Sequence, residues 1–447
     1  MSRYDQGVGR ARFPFPDRPR LWGVAVSHYQ VEGNDPCDWT EWERAGRTKD
    51  PCGDAAGSWE RYEEDAVLAA SAGSNAFRFS VSWSRIEPEE GRWDDRALER
   101  YVRLADSLLR LDIEPVVTLF HYTHPVWFHE RTPWSSPQSV EAFTRFARRV
   151  AEAFGERVRM WTVLNEPLVF LLAGYIDGQI PPGHASPSLA RRALEHLLLA
   201  HASAAAAIRA VNPAAAIGLA HNMMAFAPER AWNPLDRLLS HFADRFYNRS
   251  LLEALTTGRW SFHLPPATWL RGRCDDLPSS VDFIGVNLYS RLHLRCPGRR
   301  RAIGDFDYRD RSGLGFTDNG WEIAPSTALP LLRIAAETGL PIVVTENGLA
   351  DASDRHRAAY LEAYAGELRK AEGEGIPIAG YLHWSLLDNF EWLDGYGPKF
   401  GLFELDRATL ERRPRKSVET FRTLGERFLS AGEGASPRLT PPAAMRR

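Results

Sequence analysis

The sequence predicts a single (β/α)8 TIM barrel, and three observations carry that reading. Short β-branched runs alternate with longer amphipathic stretches, eight strand candidates occur in one continuous alternation, and no Pro-, Gly- and Ser-rich linker interrupts the interior. Eight alternating units favour a closed barrel over a doubly wound sheet. Length alone, at 447 residues, would allow about three domains, but large barrels routinely exceed that prior.

The elements follow in order. Strand candidates are 21–27 (LWGVAVS), 76–83 (AFRFSVSW), 114–120 (EPVVTLF) and 158–164 (VRMWTVL). The second half supplies 215–220 (AAIGLA), 282–289 (DFIGVNLY), 341–345 (PIVVT) and 378–384 (IAGYLHW). Between and after them, apolar residues recur at helical spacing over 94–111, 140–154, 189–211, 235–255, 327–338, 355–372 and 416–429. Residues 1–18 and 431–447 are polar and proline-containing, so a flexible extension and tail are expected to flank a barrel over 19–430. The glycine-rich segment 291–325 follows the sixth strand candidate. In a barrel, long loops after strands line the catalytic mouth.

Composition narrows the function. Hydrophobic residues at 44% and charged residues at 25% exclude a disordered or fibrous chain. The net charge of −3 gives no global pull toward nucleic acid or anionic membrane. Nearly all the basic charge is Arg, scattered among acids, with Lys only at 49, 370, 399 and 416. One cluster, Arg295 with Arg299, Arg300 and Arg301, reads as a solvated loop. Cys37, Cys52, Cys274 and Cys296 are too few and scattered for a disulfide framework or zinc site. The first twenty residues show no signal-peptide core, and the apolar stretch 197–208 falls short of the ~20 residues of a membrane span. A cytoplasmic protein is the expectation. The 15 Trp and 13 Tyr are many; flat aromatic faces suit sugar rings, although a large core would also use them.

Chemistry-bearing residues gather at strand C-termini. The fourth strand ends in WTVLNEP, giving Asn165 and Glu166, and the seventh in VVTENG, giving Glu346. A lone carboxylate there is usually an ion-pair partner. Two on strands four and seven face each other across the mouth, and paired carboxylates are what glycosidic cleavage uses. Arg78 on the second strand needs an anion, which Glu346 could supply. His121 ends strand three, Asn287 and Tyr289 end strand six, and Gln30 follows strand one. The last strand runs into WSLLDNFEW, with Trp384, Glu391 and Trp392. Amides, carboxylates and an imidazole over tryptophan describe a site for many hydroxyls and one apolar ring face. No metal-ligand spacing is visible, and neither metal nor organic cofactor is expected.

These motifs, LWGVAVSHYQVEG, FRFSVSWSRIEP, NEP, TENG and GYLHWSLLDNFEW in that order, resemble glycoside hydrolase family 1, the β-glucosidase and β-galactosidase family, over residues 21–429. The resemblance implies a barrel enzyme that retains anomeric configuration, with Glu166 as general acid/base and Glu346 as nucleophile. It implies that Gln30, His121, Asn165, Trp384, Glu391 and Trp392 hold the non-reducing sugar. Arg78 and Tyr289 would bond the nucleophile, and Trp321 would flank the leaving group. The substrate would be a small oligosaccharide or an aryl or alkyl β-glycoside of gluco, galacto or fuco type. A retaining pair should stand ~5–5.5 Å apart, with Arg78 holding Glu346 anionic. Transglycosylation on the same pair, and a non-catalytic sugar-binding barrel, are the alternatives.

The chain departs from the family pattern at two positions. Val163 stands where Thr is common, and Tyr122 follows the strand-three histidine where Trp is usual. The intact pair argues against the thioglucoside-cleaving branch, which typically has Gln at the acid/base position. In the branch acting on 6-phosphorylated sugars, Ser typically replaces Glu391, and Lys and Tyr stand where this chain has Pro398 and Phe400.

Overall fold

Eight parallel strands form a closed ring in the computed structural model, which describes residues 20–264, 268–297 and 305–430. The expected N-terminal extension, the C-terminal tail and Arg299–Arg301 lie outside the described residues. The strands are β1 (Leu21–Ala25), β2 (Ala76–Ser80), β3 (Glu114–Phe120), β4 (Met160–Asn165), β5 (Ala216–Pro228), β6 (Phe283–Arg295), β7 (Ile342–Asn347) and β8 (Ile378–Trp384). Each pairs in parallel with the next, and β8 returns to β1 through Leu21 opposite Gly380.

Strand side chains alternate between two cores, as a two-residue period requires. Leu21, Ala25, Ala76, Val116, Met160, Phe283, Val343 and Leu382 fill the ring interior. Trp22, Val24, Phe77, Val117, Trp161, Ile217 and Val344 meet the surrounding helices. Helix starts are set by local chemistry. Asp94, Ser186 and Asn233 each accept hydrogen bonds from backbone N–H groups of the first turn, and proline follows Ser186 and Asn233 at the position that tolerates it. Close approach fixes one glycine: a Cβ on Gly348 would lie 1.8 Å from the Trp384 carbonyl oxygen, so β7 can leave the ring beside β8 only without a side chain.

Two strands overrun their expected ends by six residues or more. β5 reaches Pro228 and β6 reaches Arg295, because above the ring they keep pairing with each other, from Ala225 opposite Arg291 to Pro228 opposite Leu294. The start of the expected loop 291–325 is therefore strand, extended by an antiparallel pairing with Asp305–Asp307. The expected helix 235–255 is realised as Pro234–Asp244 and Ser250–Thr257 joined by a π-turn, Arg245–Arg249. Such turns cluster at functional sites.

One buried group ties the fold to pH. His201 lies buried in the helix Pro187–Val211, and burial, with a smaller contribution from Arg209, lowers its pKa from 6.5 to about 3. The folded value lies below the unfolded one, so this group costs no stability above pH 6.5 and an increasing amount as pH falls toward 3. His201→Leu is expected to stabilise the protein by about 2 kcal/mol more at pH 5 than at pH 8, measured by urea unfolding. An equal effect at both pH values would remove His201 from the acid sensitivity of the fold.

Candidate active site

Arg78 is the centre from which the site is built. It is 1% exposed near the middle of β2, and its three nitrogens are all engaged. Nε donates to Thr118 Oγ1 (3.0 Å), Nη1 to Glu346 Oε1 (2.6 Å) and Nη2 to Asn165 Oδ1 (2.7 Å). One guanidinium thus links β2, β3, β4 and β7 at the same height, and a buried cation is compensated by a carboxylate and two neutral acceptors. Tyr289 Oη donates to the other oxygen of Glu346 at 2.7 Å.

Glu166 leaves β4 with φ 47° and ψ 55°, a left-handed conformation immediately before Pro167 at the start of the next helix. Its Oε1 accepts from Asn287 Nδ2 (2.6 Å) and Asn222 Nδ2 (3.1 Å), and its Oε2 from Tyr122 Oη. Tyr247, on the π-turn, donates to Asn222 Oδ1 at 2.9 Å. Tyr122 (φ 71°) and Trp392 (φ 54°) share the left-handed backbone. Three strained non-glycine residues around one cavity are the pattern of a site whose geometry is imposed by its surroundings.

The cavity encloses about 370 Å³. Gln30, His121, Asn165, Glu166, Tyr289, Trp321, Glu346, Trp384, Glu391 and Trp392 all line it, and Arg78 lies beneath. Pro398, Phe400 and Tyr122 line it too. The sequence places Asn287 at this rim without giving it a role, and it does not single out Asn222 or Tyr247. Asn222 lies two residues past the expected end of its strand, so only the strand's extension brings it to the site. Tyr247 depends on the π-turn, for which the sequence carries no signal.

Three lining residues, Gln30, Trp39 and His121, each keep a buried side-chain atom with no hydrogen-bond partner among the described residues. The chemistry of the His121 atom follows from Arg78, which can only donate. Asn165 therefore turns Oδ1 to Arg78 and Nδ2 to His121 Nε2 (3.1 Å), leaving His121 Nδ1 to carry the free proton. Burial, then Arg78, holds His121 well below its ordinary pKa, so the ring is neutral. For Gln30, the orientation follows from Asn389, which gives its N–H groups to Ser385 Oγ (2.8 Å) and the Leu387 carbonyl (3.0 Å). Its Oδ1 accepts from Gln30 Nε2 at 2.9 Å, which leaves Gln30 Oε1 as a free acceptor.

The carboxyls are tuned by desolvation. Burial pushes Glu346 up to about 7, Arg78 pulls it back, and the charge of Glu166 adds to the rise. Against the expectation of a firmly anionic Glu346, the loss of water outweighs one guanidinium. Glu391 is pushed up to about 8, again chiefly by burial, against a hydrogen bond from Trp384 Nε1 (3.2 Å). Glu391 is therefore largely a neutral acid at pH 7. Burial also keeps the phenols of Tyr122 and Tyr289 protonated, with the adjacent carboxylates reinforcing it. Among the described residues, no group of His, Cys, Asp and Glu could hold a metal ion, and no helix is long and apolar enough to cross a membrane.

The model of glycosyl hydrolase family 1 matches residues 13–427. A β-glucosidase A of Thermotoga maritima is 33% identical, with 88% of this chain and 93% of that protein covered. A β-galactosidase of Pyrococcus woesei is 29% identical over 92% of this chain and 96% of its own. Among solved structures, the β-glycosidase from Pyrococcus horikoshii superposes with a TM-score of 0.83 at 33% identity, covering 92% of this chain and 94% of that one.

Proposed function

The chain belongs to glycosyl hydrolase family 1, and from that premise we propose a retaining β-glycosidase that removes terminal, non-reducing β-linked glucosyl, galactosyl or fucosyl residues through a covalent glycosyl-enzyme. The observation that carries the reading is the asymmetry of the two carboxyls. Arg78 pairs with Glu346, whereas Glu166 has only neutral partners among its hydrogen bonds. The guanidinium favours negative charge at Glu346, which suits the nucleophile, and Glu166, with no cation among its hydrogen-bond partners, suits the acid.

In this reading the sugar is held by the polar lining of Gln30, His121 and Glu391, with a ring face toward the Trp384 and Trp392 side. Glu346 attacks the anomeric carbon as Glu166 protonates the departing oxygen. Loss of the Glu346 charge on esterification then lets Glu166 act as base toward water. Asn165, fixed by Arg78, would bond the 2-hydroxyl. The T. maritima and P. woesei relatives are named for glucosidase and galactosidase activities, which supports glucosyl and galactosyl substrates. The four cysteines are unpaired and two are buried, which suits the reducing cytoplasm.

A panel of nitrophenyl β-glycosides with and without a 6-phosphate tests the substrate, with the product anomer followed by proton NMR. The β-anomer should form first, and unphosphorylated sugars should be preferred by ~100-fold or more in kcat/KM. Glu391, Pro398 and Phe400 offer a phosphate no cation, and Glu391 ionises as pH rises through about 8, so the preference should widen there. An α-product would end the retaining assignment. Comparable rates on the phosphorylated sugars would end the substrate assignment.

A further inference from the structure

The hydrogen bonds around Glu166 differ in kind between its two oxygens, and Arg78 fixes that difference. Arg78 only donates, so the Asn165 atom it meets is Oδ1. Asn287 also approaches Asn165 Oδ1, at 3.2 Å, so it must do so with Nδ2. Thr345 Oγ1 donates to Asn287 Oδ1 at 2.7 Å, in agreement. That same Nδ2 donates to Glu166 Oε1 at 2.6 Å. Oε1 therefore faces an amide that can only give a proton, with Asn222 Nδ2 as a second. A proton on Oε1 would meet donors head-on. Oε2 faces a phenol instead, which donates to a carboxylate and, by rotating its hydrogen, accepts from a carboxylic acid.

We propose that Tyr122 is a positioning residue that places the catalytic proton of Glu166 on Oε2 and directs it to the leaving group. The inference rests on the reading of Glu166 as acid/base. In the first step the proton on Oε2 passes to the glycosidic oxygen, which keeps the electron pair of the breaking C1–O bond, while a Glu346 oxygen forms the new bond to C1. In the second step Tyr122 donates to the Oε2 anion as it takes a proton from water, whose oxygen forms the new bond to C1 while the C1–O bond to Glu346 breaks and its electron pair returns to that carboxylate. The phenol can follow both states because its ring is held: Tyr122 is 6% exposed, meets Trp392 edge-on at 5.4 Å and stacks on Phe170 at 6.5 Å. An indole, usual at this position in the family, could donate but not accept.

Tyr122→Phe keeps the ring and removes the hydroxyl. It is expected to lower kcat/KM ~10- to 100-fold for alkyl glycosides, which need the proton, and to leave dinitrophenyl glycosides within about threefold. Without a donor to the Oε2 anion, the alkaline limb of kcat/KM should move up by about one pH unit. Equal losses across leaving groups, no loss on alkyl glycosides, or an unmoved alkaline limb would each overturn the inference, since a role in packing alone predicts them. If the variant does not fold, fluorotyrosine at 122, nearly the same size and a stronger donor, should move the limb to lower pH, and an unmoved limb overturns the inference. Glu166→Ala with azide, run alongside, separates the levels. If azide fails to rescue that variant, the acid/base reading falls and the inference with it. If azide rescues it while Tyr122→Phe loses activity uniformly, only the role of Tyr122 falls.

Discussion

Glu346→Ala is expected to lower turnover by about 10⁴-fold or more, because no covalent step remains and the oxygen that attacks the anomeric carbon is gone. The substitution also leaves Arg78 buried with Thr118 and Asn165 but no carboxylate. An uncompensated buried charge costs about 3–5 kcal/mol, so a lowered melting temperature should accompany the loss. Glu346→Gln separates the two effects. Its amide oxygen can still accept from Arg78, so the melting temperature should recover while turnover does not. Retention of more than a few per cent of activity by either variant, in a preparation free of contaminating glycosidase, would take the nucleophile away from Glu346.

Glu166→Ala should show a different pattern, not merely a smaller effect. Alkyl and other poorly leaving groups need a proton at the departing oxygen, and their kcat/KM should fall by ~10²–10⁴-fold. Dinitrophenyl glycosides depart unaided, so glycosylation of Glu346 should continue and the glycosyl-enzyme should accumulate. Azide, small and already nucleophilic, should enter the space the carboxylate vacates and release the intermediate as the β-glycosyl azide. The azide effect is the discriminating signal. A variant equally slow on every leaving group and indifferent to azide would show that Glu166 shapes the cavity without transferring protons.

The fold was legible because its signals are local and repeated. A strand buried on both faces reads as a short β-branched run, and eight such runs each between helical patterns leave few closed arrangements. The strand ends were less legible. β5 and β6 continue above the ring because they find each other there, and a pairing between residues 66 positions apart, such as Ala225 with Arg291, leaves no trace in either segment alone. The same long-range pairing explains why Asn222 went unnoticed while Glu166, beside a helix-starting proline, stood out.

The sequence by itself determined which residues could do chemistry: two glutamates at strand ends, an arginine in need of an anion, and amides, an imidazole and tryptophans gathered on one rim. Those are matters of residue type and period, and both are written along the chain. Only the tertiary structure decided their states. Whether Glu346 is anionic depends on how much water its neighbours exclude, and burial lifts it to about 7 despite Arg78. Which oxygen of Glu166 can carry a proton depends on amides from β5 and β6 and a phenol after β3, the β6 amide being oriented through a guanidinium on β2. Protonation and hydrogen-bond direction are properties of an enclosed space, and the space exists only once the ring has closed.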